Sequence, residues 1–268
     1  MITTIYCLMT EFLDALGHKD DPRRKLDTAQ ILTVALVAAY FFHSNHKLAL
    51  DFLCSHGYIP TFSASRFSRR LHDLNEGLLQ SVFDLMAQIH IKANESGLFL
   101  VDCCPMPVCH NIRAQRSKIY PDKIYHGRCE SKKQYYHGLK LCLIVTENGR
   151  PVEIVLEPAH TADVTILKRM DIELPQGSDL IGDKGFLDRG FESILSETSG
   201  IRLLVERRRN MKEQLDGCLA YLCQFYRHRV ETTFSRLANI LPRRLHAVTA
   251  AGFEIKVFLC VLSLSILN

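Results

Sequence analysis

The sequence lacks the paired cysteines and the long apolar runs that mark zinc-binding, disulfide-rich or membrane-spanning proteins. Its ten cysteines are scattered, and no two have the spacing of a C-x-x-C pair, so reduced thiols are expected. The most apolar stretches, Ala29 to Phe42 and Val257 to Leu267, are shorter than the roughly 18 residues that span a bilayer. Both are predicted to be buried helices.

Several targeting and catalytic signatures are also missing. Met1 to Leu16 has no basic stretch, no long apolar core and no small-residue cleavage site, so a signal peptide is not expected. The chain contains no G-x-S-x-G elbow, no G-x-x-x-x-G-K-[ST] loop and no G-x-G-x-x-G fingerprint. The usual sequence evidence for a serine hydrolase, an NTPase or a dinucleotide enzyme is therefore absent. Because neither a signal peptide nor paired cysteines are found, we expect a cytoplasmic protein.

The chain has little net charge, because its 33 basic residues are nearly balanced by 29 acidic ones. This balance permits a nucleic-acid partner without requiring one, so local basic clusters must decide. We predict DNA contacts in the second part of the chain from Lys132, Lys133, Arg207, Arg208, Arg209, Lys212, Arg227, Arg229, Arg243 and Arg244. The alternative for any such cluster is an ordinary solvated face.

Residues 1–95 are predicted to form an all-α N-terminal domain. Asp27 or Thr28 can cap a first strongly apolar helix, and a second helix is expected over His46 to Ser55. A last helix, about Leu78 to Lys92, ends shortly before the predicted domain boundary.

A basic helix is expected within this domain, after the turn signal Gly57 to Pro60. Ser63 can cap it, and its exposed positions are predicted to hold Arg66, Arg69, Arg70 and His72. Such a helix could read a DNA major groove in helix-turn-helix fashion. It could equally be a surface helix of a helical bundle.

Residues 96–268 show an α/β pattern. The buried strand Leu98 to Val101 is predicted to end at Asp102. A hairpin follows, His137 to Thr146 and Pro151 to Leu156, with Asn148-Gly149 at its turn.

The remaining elements alternate between helix and strand. In order they are a helix over Asp163 to Met170, a strand over Asp179 to Gly182 that ends at Asp183, a helix over Asp188 to Glu197, a strand over Ile201 to Val205, and a long helix after Asp216 that Pro242 stops. This order predicts a mixed sheet with helices on its faces, the ribonuclease H-like topology.

Three carboxylates are candidates for one site. Asp102 and Asp183 each follow a short apolar strand, and Glu231 lies beside the apolar stripe of the long helix. Oxygen ligands of this kind hold magnesium, and a pair of ions about 4 Å apart suits phosphodiester chemistry, with Asp102 between them. The alternatives are turn or cap roles for the aspartates and a helical ion pair between Glu231 and Arg227.

From about Gly97 onwards the sequence resembles the DDE-type transposases of bacterial insertion sequences. Three segments carry the resemblance: Leu100 to Val108 around Asp102, Ile181 to Phe186 around Asp183, and Tyr226 to Phe234 around Glu231. The resemblance implies a ribonuclease H-like catalytic domain over residues 96–268 that uses two Mg²⁺ ions, with Mn²⁺ as a substitute. Asp102, Asp183 and Glu231 would be both the catalytic and the metal-binding residues.

The resemblance also implies a function and partners. The enzyme would be an endonuclease and polynucleotidyl transferase that cuts the terminal inverted repeats of its own element and joins the freed 3′-hydroxyl to target DNA. It would act as a homodimer on double-stranded DNA in the nucleoid. Related families have a tyrosine seven positions before the glutamate and a lysine seven after it, where this chain has Gln224 and Ala238. Arg227 does stand at the matching position.

Other interpretations remain open from the sequence. A ribonuclease H-like nuclease would stop at hydrolysis, and a relic of a transposase would bind DNA without cutting it. A zinc site at Cys103, Cys104, Cys109 and His110 fits no standard ligand spacing. Asp163 follows the hairpin and could approach the metal site, although a helix cap is its more ordinary role.

Overall fold

A computed structural model describes residues 1–74, 76–129, 133–207, 215–242 and 245–267. The chain forms two compact units. One contains Met1–Ala87 and Arg236–Asn268, and the other contains Gln88–Ser235. The prediction placed the whole of residues 96–268 in a catalytic domain, whereas the residues from Arg236 onwards belong to the unit that contains the N-terminal helices. The functional division at residue 95 stays a prediction.

Helices dominate the first unit and alternate with strands in the second. The helices are α1 (Ile2–Ala15), α2 (Thr28–Phe41), α3 (His46–Ser55), α4 (Ala64–His72), α5 (Glu76–Lys92), α6 (Asp163–Arg169), α7 (Arg189–Ser199), α8 (Gly217–Ile240) and α9 (Ala250–Leu267). The strands are β1 (Leu98–Cys109), β2 (His126–Cys129), β3 (Gln134–Thr146), β4 (Pro151–Pro158), β5 (Asp179–Gly182) and β6 (Arg202–Val205).

Helix α2 lies at the centre of the helical unit. Its N-cap is Asp27, one of the two predicted candidates. The Asp27 carboxylate accepts the Gln30 backbone N–H at 2.6 Å, and the Gln30 side chain accepts the Asp27 N–H at 3.0 Å. This reciprocal capping box satisfies two donors that an uncapped helix would leave free. Because α2 is apolar on all sides, nearly all of it is buried, and α9 packs against it.

Helix α9 has the length and composition of a membrane-spanning helix, with 18 residues and a mean hydropathy of 1.9. More than half of this segment is nevertheless buried within the protein. Phe253, Val257 and Leu262 are fully enclosed. The prediction of a buried helix here is confirmed.

The basic helix α4 begins after Ser63, whose hydroxyl accepts the Arg66 N–H at 3.3 Å. Its exposed basic side chains include Arg66 and Arg69. The prediction that Arg70 is exposed is wrong: its guanidinium lies 3.7 Å from Asp20 and donates to the Leu26 carbonyl at 3.3 Å. Residue 70 follows buried Phe67 by one helical turn, so it faces inwards.

The second unit is built on one mixed sheet in the order β2-β3-β1-β5-β6, with β4 paired to β3. Strand β1 is antiparallel to β3 and parallel to β5, and β5 is parallel to β6. Helix α6 contacts β3, and α7 contacts β6. A mixed sheet flanked by helices is the α/β, ribonuclease H-like architecture that the element order predicted.

The prediction that strand β1 ends at Asp102 is wrong, because the strand continues to Cys109. Its parallel pairing with β5 stops at Val101, opposite Gly182, while the antiparallel pairing with β3 runs on. Beyond Val101, β1 therefore has β3 as its one neighbour among the described strands. Pro105 and Pro107 are tolerated there because an edge strand can lack a backbone N–H.

The predicted hairpin is formed by β3 and β4, and Gly149 in its turn has the positive φ of +77° that glycine favours. Strand β2 and the short 3₁₀ turns Asn111–Arg116 and Lys123–Tyr125 were not predicted. Their sequence has no apolar alternation, so periodicity gives no signal for them.

Candidate active site

Asp102 and Asp183 lie side by side at one edge of the parallel part of the sheet. Val101 pairs with Gly182, so the next residue on each strand leaves the pairing at the same level. The Asp102 carboxylate accepts the Cys103 backbone N–H at 2.7 Å, and the Asp183 carboxylate accepts that of Gly185 at 2.7 Å. The end of the parallel pairing and these local hydrogen bonds fix both side chains.

Glu231 comes from α8, which is attached to the turn of the β3–β4 hairpin. The Thr233 hydroxyl donates to the Gly149 carbonyl at 3.1 Å, and Arg229 donates to the Glu147 carbonyl at 3.4 Å. Glu231 stands between these two anchors on the half-exposed side of the helix. Its carboxylate lies 3.9 Å from the Arg227 guanidinium and 3.3 Å from Nδ1 of His228.

One pocket unites the three predicted carboxylates. Asp102, Asp183 and Glu231 all line a cavity of about 580 Å³, and Arg227 and Lys140 contribute positive charge to the same wall. Cys103 and Phe234 complete part of its lining. The pocket lies at the sheet edge where β1 leaves its parallel partner.

Asp163, for which the sequence permits either an approach to the metal site or a helix cap, is a fourth carboxylate of this pocket. The N-cap of α6 is Ala162, and Asp163 accepts a hydrogen bond from Nζ of Lys140 at 2.7 Å. A Cβ at Gly185 would lie 2.8 Å from Oδ2 of Asp163 and 2.9 Å from Oδ1 of Asp183. Both carboxylates therefore flank Gly185, where any side chain would intrude on them.

The electrostatics of the pocket disfavour an uncompensated negative charge. Burial raises the pKa of the Asp102 carboxyl to about 7, and the nearby charges of Asp183 and Asp163 raise it as well. The hydrogen bond from the Cys103 N–H and the positive charge of Arg227 act in the opposite direction. Hard carboxylate oxygens held in such a setting fit a divalent cation, whose charge would offset their repulsion.

The carboxylates share the pocket without forming a closed ligand sphere. Across the described ranges, no three His, Cys, Asp or Glu side chains surround a single point as metal ligands would. The Glu231 carboxylate pairs with Arg227 and His228, and the Asp163 carboxylate pairs with Lys140. Each of these two carboxylates is thus neutralised by a side chain of the pocket wall or of its own helix.

Comparison with known proteins identifies the family. A family model described as "Transposase DDE domain" matches residues 92–245, which include Asp102, Asp183 and Glu231. The chain is a DDE transposase. No curated protein matches the sequence. Membership implies a DNA substrate and chemistry that uses divalent metal ions.

The basic residues predicted to contact DNA differ in their setting within this transposase. Lys133, Arg227 and Arg229 are exposed, and Arg227 also lines the pocket. Arg207 is instead held by two hydrogen bonds of 2.6 and 2.7 Å to Glu192, and its side chain is 15% exposed. The predicted contacts that lie outside the described residues are Lys132, Arg208, Arg209, Lys212, Arg243 and Arg244.

Proposed function

We propose that this transposase cuts the ends of an insertion sequence and joins them to target DNA at the pocket that holds Asp102, Asp183 and Glu231. The observation that carries the proposal is that three carboxylates, one on β1, one directly after β5 and one on α8, line one cavity. They lie far apart in sequence and come together only through the fold. The family match independently covers all three.

The donor set suits magnesium, with manganese as a substitute, because all three groups are hard oxygen ligands. Asp102, Asp183 and Glu231 would together hold two such ions. Bound in this way, the ions would stabilise the charge that develops on the attacking and leaving oxygens of a phosphodiester.

The residues of the chain then have distinct tasks. Arg227 is placed to orient Glu231, since the two side chains already form an ion pair on one face of α8. Arg229 and Thr233 hold that helix to the hairpin turn on either side of Glu231. Exposed cations such as Lys133 would neutralise backbone phosphates of the DNA.

The reaction has two steps in this proposal. In the first, a water oxygen forms a bond to phosphorus at the element end, the P–O3′ bond breaks, and a 3′-hydroxyl is released. In the second, that hydroxyl oxygen bonds to a phosphorus of target DNA, and the P–O3′ bond of the target breaks. Both steps are displacements at phosphorus and use the same carboxylates.

The two ends of an element must meet before they are joined, so we propose a homodimer on double-stranded DNA in the nucleoid. Recognition of the terminal repeats would fall to the N-terminal helices, where Arg66 and Arg69 are exposed on α4. Arg70 would support this helix by its contact with Asp20 and would not contact bases.

The test uses DNA that flanks the gene, which should carry short inverted repeats. With magnesium, the unmodified protein should nick these ends and produce joined products, whereas Asp102→Asn, Asp183→Asn and Glu231→Gln should each lose both activities. Asp171→Asn and Glu173→Gln are matched controls on exposed positions outside the pocket. Nicking without joined products would replace the proposal by a nuclease, and tight binding without nicking by a DNA-binding relic.

A further inference from the structure

The segment between β1 and β3 forms a basic surface that begins at the catalytic pocket. Residues 111–128 contain Arg113, Arg116, Lys118, Lys123 and Arg128 but a single acidic residue, Asp122. All five basic side chains are exposed. We call residues 111–128 the basic platform.

The platform is folded and not an unstructured loop. Ala114 and Tyr120 are buried, and the rings of Tyr120 and Tyr125 lie 4.5 Å apart. The Ile124 carbonyl accepts the His160 backbone N–H at 3.0 Å. Gly127 lies so close to the end of β4 that an added Cβ would be 2.6 Å from the Ala159 carbonyl oxygen. The basic side chains therefore project from a fixed backbone.

Four of the five platform cations differ from most other cations of this unit in having no carboxylate partner among the described residues. Elsewhere, Lys168 pairs with Asp188 at 2.5 Å and Arg202 with Asp179 at 2.7 Å, and Arg169, Lys184 and Arg207 are paired in the same way. Among the described residues, Arg113, Arg116, Lys118 and Lys123 form no ion pair. Clustered cations without internal counter-charges attract an external polyanion.

The platform is continuous with the catalytic pocket. Arg128, its last residue, lines the pocket together with Asp102, Asp183 and Glu231. The Arg128 guanidinium also lies 5.8 Å from the centre of the Tyr135 ring, which is 68% exposed. A chain of phosphates that leaves the carboxylates on this side would pass directly onto the platform.

We propose that the basic platform binds the phosphate backbone of the DNA that enters the pocket, with Arg113, Arg116, Lys118 and Lys123 as the contacting side chains. This inference rests on the proposed function, in which the polymer that reaches the carboxylates past Arg128 is DNA. It assigns DNA binding to a part of the catalytic unit, in addition to the N-terminal helices.

The experiment measures binding of a labelled 30-base-pair duplex of arbitrary sequence in EDTA, so that no cutting occurs. Fluorescence anisotropy over a range of NaCl concentrations gives the slope of log Kd against log salt. Arg113→Gln/Arg116→Gln removes two phosphate contacts, so the magnitude of the slope should fall by about 2, since each contact contributes roughly 0.9. Arg113→Lys/Arg116→Lys should restore most of it, because lysine keeps the charge.

The matched control is Lys168→Gln/Arg202→Gln, which changes the net charge equally at exposed positions outside the platform. This control should leave the slope unchanged, and unaltered melting temperatures would show that all the variants are folded. If the unmodified protein binds the duplex and the platform variant behaves like the control, the inference is wrong while the proposed function stands. If the unmodified protein binds no duplex at any salt concentration, both fail.

Discussion

Thr233 lies on α8 two residues beyond Glu231, and its hydroxyl donates a hydrogen bond of 3.1 Å to the Gly149 carbonyl in the hairpin turn. The turn can approach α8 this closely because residue 149 is glycine: an added Cβ would lie 2.4 Å from Oγ1 of Thr233. Arg229, two residues before Glu231, donates to the Glu147 carbonyl of the same turn. The hairpin thus sets the position of Glu231, the predicted site carboxylate that lies on α8.

Thr233→Val should impair DNA cutting more than it impairs folding. Valine has nearly the shape of threonine but cannot donate to the Gly149 carbonyl, so unfolding should become easier by about 1 kcal/mol. A small displacement of Glu231 should slow cutting roughly 10-fold to 100-fold, because catalytic groups tolerate little misplacement. Urea unfolding and single-turnover nicking measure the two effects.

Thr232→Val is the control for that variant. The Thr232 hydroxyl donates to the His228 carbonyl within α8, on the exposed side of the helix. The same chemical change there leaves the contact with the hairpin intact, so cutting should proceed at close to the unmodified rate. Equal losses in the two variants would show that the hairpin contact does not position Glu231.

Lys140→Met should destabilise the protein by leaving Asp163 without its partner. The Lys140 ammonium donates to the Asp163 carboxylate and to the Thr161 carbonyl, each at 2.7 Å. Both side chains are mostly buried, so we expect a loss of roughly 1–3 kcal/mol in the free energy of unfolding. Thermal or urea unfolding gives this value.

The double variant Lys140→Met/Asp163→Asn tests the cause of that loss. Removing the second charge should recover part of the stability, because Asp163 would no longer be an uncompensated carboxylate beside Asp183. If the losses in free energy of unfolding from the two substitutions simply add, the ion pair contributes nothing specific to the pocket.

Local features of the sequence were sufficient to predict many of the elements. Helix α3 and strand β5 have the predicted bounds, and α2 begins at the predicted cap. These segments are defined by neighbours in sequence: an apolar period, a polar cap, or a short branched run that ends at a carboxylate. Asp183, which follows β5, could be predicted for the same reason, whereas Asp102 lies within β1.

Features that depend on distant residues could not be predicted in this way. The continuation of β1 past Asp102 depends on pairing with β3, and Pro105 and Pro107 argue against a strand when they are considered alone. The role of Asp163 depends on Lys140, which is 23 residues away in the chain. Arg70 was predicted to be exposed because nothing near it in sequence indicates Asp20 as its partner.

Asp102→Asn should stabilise the metal-free protein while it abolishes cutting. Burial and the neighbouring carboxylates raise the pKa of Asp102, which means that its charged form destabilises the fold when no cation is present. An asparagine removes that charge, so in EDTA at pH 8 the melting temperature should rise by about 2–4 °C for each kcal/mol gained.

Magnesium should affect the two proteins differently. It should raise the melting temperature of the unmodified protein, because a ligand that binds the folded state stabilises it, and should have little effect on Asp102→Asn. Asp171→Asn on the exposed loop should behave like the unmodified protein in both conditions. A magnesium effect of full size in Asp102→Asn would remove this residue from the proposed metal site.

His46 should make the helical unit less stable as the pH falls. Burial, with smaller contributions from neighbouring Lys256 and His72, lowers the pKa of His46 to about 4, and its imidazole lies 5.1 Å from the Phe67 ring. In the unfolded chain the same group titrates near its ordinary value of about 6.5. Between these values the unfolded state binds a proton that the folded state does not, so the stability present above pH 6.5 is lost progressively towards pH 4. A shift of this size corresponds to roughly 3 kcal/mol.

His46→Phe keeps a ring beside Phe67 without a titrating group, so urea unfolding at pH 7, 5.5 and 4.5 should show a weaker pH dependence in this variant than in the unmodified protein. If the variant retained the full dependence, the acid sensitivity would have to come from other groups.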